Sequence, residues 1–309
     1  MIFENALIVV NQVLILFLLI GVGYLFRKLK MIDENGIRQV TNLLLMIITP
    51  CIIIRSFQTP YDPSLLRGIG IAMGFAILSH VIGALIARPF FRRQPDPRRK
   101  VLEFSVVFTN CGFMCIPLLA AVLGEQGVFY GSIYITVFNV AQWTYGVLLM
   151  TGSRKNVSLV KSLVNPGTVT VLIAIPIFIF SIQLPAAISV VVDYLADTNT
   201  PLAMIVIGAQ MAVVSLRNIT KDRPILVATG LRLIVVPALV MLILSLLPLD
   251  RVLVLSCLIP AAAPTAAAAG LFSTRYRQDT ALATQMIALT TLLSIITIPV
   301  LILLSDLMA

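Results

Sequence analysis

Pro117, Pro260 and Pro264 stand inside two long apolar runs, VVFTNCGFMCIPLLAAVLGEQG and LSCLIPAAAPTAAAAGLFSTRYRQD. Proline has no N–H to give to the carbonyl four residues back. Pro117 thereby frees the carbonyl of Phe113, Pro264 that of Pro260, and Pro260 that of Ser256. In hydrocarbon an orphaned backbone group is costly unless something satisfies it. Such breaks belong beside water, a ligand or another side chain. Proline is also well suited to the first position of a new helix. Pro117 and Pro264 are each expected to open a half-helix whose free N–H groups point into the bilayer midplane. That end carries about half a positive charge and suits an anion. The plainer alternative is two kinked helices repaired by their neighbours.

Few other polar residues share the apolar runs. Asn110 adjoins the first break and is the strongest candidate for ligand contact. Gln210 stands beside Gly208, Asn42, Thr49 and Pro50 fall together, Asn139 and Gln142 pair up, and Thr290, Thr291 and Ser294 cluster. For a single Asn or Gln, hydrogen bonding between helices competes with ligand contact. Arg232 is the one base deep inside an apolar run. A central arginine costs about 2.5–3.5 kcal/mol on insertion scales, so it either snorkels to a membrane face or faces an anion. His80 has no acidic neighbour and reads as a hydrogen-bonded core residue. The candidate substrate-binding set is Asn110, Gly112, Pro117, Gln210, Arg232, Pro260, Pro264 and Thr265.

Acids inform by where they fall. All 13 sit in loops, at the edges of apolar runs or near the termini. A carboxylate proton relay or an acidic sodium site is therefore not visible; a sodium site of carbonyls and hydroxyls stays open. The four cysteines, Cys51, Cys111, Cys115 and Cys257, lie in apolar stretches and read as small buried hydrophobes. No motif for ATP, a dinucleotide, zinc or a nucleophilic triad is present, so no cofactor, metal or enzymatic activity is expected.

The elements that position these residues follow from composition. Of 309 residues 59% are hydrophobic and 11% charged, and the mean hydropathy is +1.04. A soluble fold of this size cannot hide so much apolar surface. Soluble enzymes, nucleic-acid modules and disordered chains are excluded. Ten stretches have about the length a spanning helix needs: 6–26, 39–57, 67–91, 101–123, 127–151, 166–182, 199–216, 224–247, 251–272 and 280–304. The segment 186–196 is too short to span and is expected in the interface. Bases follow the first apolar run rather than precede it, so that run does not read as a signal peptide.

The net charge of +9 is a matter of topology. Of the 22 Lys and Arg residues, 18 fall in the connections after the odd-numbered stretches. By the positive-inside rule both termini face outside. The connection around 154–165 divides the chain into 1–153 and 166–309, five stretches each. An odd number per set inserts the second set upside down. The proline-broken stretches, fourth and ninth, hold equivalent places, and broken helices at matching places of inverted repeats point to a transporter's binding site. Gly70-x-x-x-Gly74 and Gly127-x-x-x-Gly131 are expected at close helix approaches.

The run Asn110-Cys-Gly-Phe-Met-Cys-Ile-Pro117-Leu-Leu, with Gly124-Glu-Gln-Gly127 after it, resembles the auxin efflux carrier family. That family includes plant PIN-type carriers and bacterial permeases, some of them malonate transporters. Asn165-Pro166-Gly, Pro201-Leu-Ala, Arg232-Leu, Pro260 to Pro264 and Thr291-Leu-Leu-Ser294 extend the resemblance over the whole chain. It implies an all-α membrane protein of ten transmembrane helices, built as two inverted five-helix repeats whose fourth and ninth helices cross at their breaks. It also implies elevator-type alternating access and a small organic anion held beside that crossing, with Asn110, Pro117 and Pro264 as its support. The long cytoplasmic loop of the regulated plant carriers is absent. The expectation is a permease in the plasma membrane, the inner membrane of a bacterium, with lipid as its surroundings, a homodimer as a possible assembly and no nucleic-acid partner. A sodium-coupled organic-anion symporter of the bile-acid type is the alternative.

Overall fold

The computed structural model describes residues 2–153, 160, 164–213 and 222–308, with only the backbone of 2–10. Arg154, Lys155, Lys161, Arg217 and Lys221 lie outside the described residues. Every regular element among those described is helical: α1 (Ile2–Lys28), α2 (Glu34–Ser56), α3 (Pro63–Phe91), α4 (Asp96–Val107), α5 (Cys111–Thr151), α6 (Pro166–Ile179), α7 (Ala186–Asp197), α8 (Asn199–Met211), α9 (Arg223–Leu244), α10 (Arg251–Ala262), α11 (Ala268–Arg275) and α12 (Thr280–Met308). Seven described helices, counting α7 and α8 as one, are long and apolar enough to cross a membrane. Their outer faces carry large apolar side chains such as Leu18, Ile77, Leu85 and Ile296, as a lipid-facing surface requires.

Local chemistry sets the starts and bends. Asp62, Asn165 and Asp222 each cap a helix by accepting a backbone N–H, and each is followed within two residues by proline. Proline there loses nothing, because the first N–H groups of a helix have no partner anyway. Inside helices the remedy differs. Pro50, Pro117 and Pro237 each follow a π turn, at Leu44–Ile48, Cys111–Cys115 and Leu231–Val235. The wider turn takes up the mismatch that a missing N–H creates. A fourth π turn, Gln142–Gly146, has no proline after it.

Two of the ten stretches expected to be separate are one helix in outline and two in substance. α5 is broken at Gly124, whose φ of 66° and ψ of −155° are not helical. Only glycine takes such a conformation without strain. Gly127 and Gly131 after the bend pack on Leu119 and Leu123 before it.

The helices sort into two groups by contact. α1, α2, α6, α7 and α8 pack together, and α3, α4, α5, α9, α10, α11 and α12 form the other set. The most extensive pair is α1 with α8. At their contact Gly23 lies on the backbone of Ile205, and Gly208 on the backbone of Ile20 and Tyr24. In this reciprocal glycine contact, which no helical spacing within either helix announces, each glycine lets the partner backbone come closer than a Cβ would allow. The expectation for Gly70 and Gly74 is corrected: a Cβ at either meets nothing within 4 Å.

Candidate functional site

Both proline-bearing stretches do unwind, and their unwound parts lie against each other. The chain leaves α4 at Val107 and re-enters helix at Cys111; it leaves α10 at Ala262 and re-enters at Ala268. Between them Thr109 and Thr265 form an antiparallel bridge. The Asn110 N–H donates to the Pro264 carbonyl at 2.8 Å, and the Ala266 N–H donates to the Phe108 carbonyl at 2.9 Å. Each break thus satisfies backbone groups of the other, as hydrocarbon demands.

The crossing sorts helix ends by sign. The carbonyl ends of α4 and α10 converge on Arg232, which is 1% exposed. Its Nη1 donates to the Val106 carbonyl at 2.8 Å and its Nη2 to the Ala261 carbonyl. The amide ends of α5 and α11 begin at Asn110 and Ala267, and neither has a side-chain cap. Asn110 is 5% exposed. Its carboxamide has no hydrogen-bond partner among the described residues, although its own backbone is fully engaged.

A cleft of about 870 Å³ reaches this end of the crossing. Its floor includes Asn110, Ala267 and Thr291, one wall carries Gln210, and its mouth lies at the end of α1 and the start of α2, with Arg27 and Arg38. α1, α2 and Gln210 belong to one helix group; Asn110, Ala267 and Thr291 belong to the other. The cleft therefore runs between the two groups. Gly112 stands beside open space on the first turn of α5.

Of the eight residues singled out in the sequence, Asn110 and Gln210 line the cleft and Gly112 adjoins open space. The others do not line it. Arg232 neither snorkels nor faces the cleft; it is spent on two carbonyls. Pro117 does not open a half-helix, because the π turn before it lets the helix start six residues earlier, at Cys111. Pro264 lies in the extended break and lends its carbonyl to Asn110, while Pro260 stays inside α10. Thr265 is fully buried, its Oγ1 donating to the Ser105 carbonyl and its N–H to Thr290 Oγ1, each at 3.0 Å. Thr291, Ala267 and Gly270 are cleft residues that the candidate set omitted. Thr291 carried a signal, standing in the polar cluster of the last stretch; the alanine and glycine carried none.

His80 is the buried core residue expected. Its Nδ1 lies 2.7 Å from the Ala76 carbonyl, among the rings of Phe108, Tyr134 and Phe138. Among the described residues no cluster of His, Cys, Asp or Glu could hold a metal ion. All four cysteines are free.

A family model described as membrane transport protein matches residues 8–161 and 154–302. The chain belongs to this family, that of the auxin efflux carriers. It is also similar to an uncharacterized transporter of Methanothermobacter thermautotrophicus, 24% identical over 305 residues that cover 97% of this chain and 98% of the relative. The carrier is thus an integral membrane transport protein and not an enzyme.

One ion pair among those described joins the carrier's two helix groups. Arg55, at the end of α2 remote from the cleft mouth, holds Glu125 at 2.9 Å and Asp197 at 2.7 Å. α2 has 23 residues, about 34 Å of rise, so this pair closes the face opposite the mouth. Exposed pairs contribute about 0.2–1 kcal/mol. Glu125→Gln frees the two groups there while leaving Arg55 with Asp197. For a carrier that alternates between faces, the expected result is a change of up to about fivefold in the equilibrium constant toward closure at the present mouth. An Ala267→Cys reporter labelled from the mouth side by an impermeant thiol reagent measures it: labelling should slow in proportion to the fraction of open conformer lost, by at most that factor.

Proposed function

We propose that this chain is a secondary carrier for a small organic anion, moving it by elevator-type alternating access. One observation carries the reading. An unpartnered carboxamide, Asn110, stands at two uncapped helix amide ends on the floor of a cleft between two helix groups. Each amide end carries about half a positive charge, and a carboxylate there gains charge-assisted hydrogen bonds. No acid lines the floor to oppose it. In this reading α3, α4, α5 and α9 to α12 carry the site past the other group.

The same reading takes the chain as ten spans in two inverted repeats, 1–153 and 166–309, joined by 154–165. α4 with the first part of α5 is the fourth span, and α10 with α11 is the ninth. The excess of Lys and Arg in the connections after the odd-numbered stretches supports a reading with that face cytoplasmic and both termini outside a plasma membrane. An anion leaving a negative-inside cell is then driven by about 2.3 kcal/mol per charge per 100 mV.

The test is a thermal-shift screen of purified protein against mono- and dicarboxylates, amines and neutral solutes, followed by counterflow in proteoliposomes. A carboxylate is expected to raise the melting temperature by mass action on the native state and to exchange across the bilayer. Stabilisation by amines or neutral solutes alone overturns the reading.

A further inference from the structure

Arg232 is a buried cation without an anion. Among the described residues no ion pair includes it. A charge in hydrocarbon needs compensation. The compensation visible here is helical: the guanidinium bonds the Val106 carbonyl in the last turn of α4 and the Ala261 carbonyl in the last turn of α10. Each carbonyl end carries about half a negative charge. Two such ends sum to about one elementary charge, which is the charge of one guanidinium.

Two convergent helix carbonyl ends are also a place for a hard monovalent cation, which takes oxygen ligands. The planar fork of arginine reaches both at once, which a single donor cannot. We infer that Arg232 is the tethered cation of the crossing. It fills the position a free alkali ion would otherwise occupy and cancels the negative ends of α4 and α10. The positive ends of α5 and α11 are then left uncancelled at the cleft, and an anion binds beside Asn110 with no cation bound in company. Arg232 is a positioning residue: it touches the helix ends and not the substrate. The inference rests on the anion reading for its consequence, which transport reads, while the cation-dependent melting of Arg232→Ala tests the tethered charge apart from that reading.

The experiment has two arms. In the first, the unaltered carrier in proteoliposomes exchanges the stabilising carboxylate with sodium and potassium replaced by N-methylglucamine. Rates are expected to be unchanged, and a saturable requirement for either alkali ion overturns the inference. In the second, Arg232→Ala is compared with Arg232→Gln in thermal shift and transport. Loss of the tethered charge is expected to lower transport by about tenfold, equivalent to about 1.4 kcal/mol. Millimolar guanidinium or an alkali ion should then raise the melting temperature of Arg232→Ala, where the removed side chain leaves room, and restore transport. Arg232→Gln, which fills that room, should respond less. A folded Arg232→Ala protein that transports at the original rate, or that no small cation stabilises, overturns the inference. Should neither variant fold, the first arm decides. If no carboxylate stabilises the unaltered protein, the anion reading fails, while cation-dependent melting of Arg232→Ala still reports on the tethered charge.

Discussion

Asn110→Ala is expected to abolish transport while membrane insertion and melting temperature without ligand stay as they were. The two halves of that result have one cause. The Asn110 carboxamide has no protein partner among the described residues, so removing it breaks no bond of the folded state. A hydrogen bond to a charged ligand contributes about 1.5–3 kcal/mol. Its loss weakens carboxylate binding by roughly tenfold to more than a hundredfold. Titrating the stabilising carboxylate by thermal shift separates the two effects. A variant that melts early without ligand assigns Asn110 to the scaffold; one that transports at the normal rate removes it from the site.

The largest expected loss of stability is at Gly208→Val. The Cβ of any other residue there runs into the Ile20 carbonyl oxygen, with the Tyr24 amide nitrogen 2.8 Å away. Backbone cannot turn aside as a side chain can. Overpacking a tight contact costs about 1–3 kcal/mol and more where nothing yields. The α1–α8 contact, the broadest in the molecule, must open. A fall of several degrees in the detergent melting temperature and a loss of monodisperse protein on size exclusion are expected. Gly70→Ala is the control: its Cβ meets nothing, and it should hold or gain slightly through better helix propensity. Equal damage from both variants overturns the contact as the cause.

Much of this architecture was legible in the sequence because it follows from composition and from proline. Long apolar runs had to be helices, and Pro117, Pro260 and Pro264 marked the two stretches that unwind. Asn110 stood out because it adjoined a break, and it lies in the lining of the cleft. What stayed hidden is instructive. Pro117 marks the break without forming it, because a π turn absorbs the proline and moves the opening to Thr109 and Asn110. A proline's missing donor is a local fact; which turn accommodates it depends on what packs alongside. Arg232 could not be placed for a similar reason. A charge in a span looks the same whether it seeks water, a ligand or a carbonyl, and the carbonyls it found, Val106 and Ala261, are far away in sequence. Thr265 was taken for a ligand contact, yet its hydroxyl was needed by the Ser105 carbonyl. The Gly23 and Gly208 contact gave no spacing signal, since each helix contributes one glycine.

The bridge between Thr109 and Thr265 has an evolutionary and practical corollary. The floor of the cleft is stitched from both ends of the polypeptide, one strand-like trio from each. A gene cut within the region encoding 154–163 would yield two fragments, each holding an unwound tip with dangling amides and carbonyls in oil. Neither fragment is expected to be stable alone, and each is the other's complement. Produced together in one bilayer they should reunite, whereas a fragment made by itself should be cleared by membrane proteases.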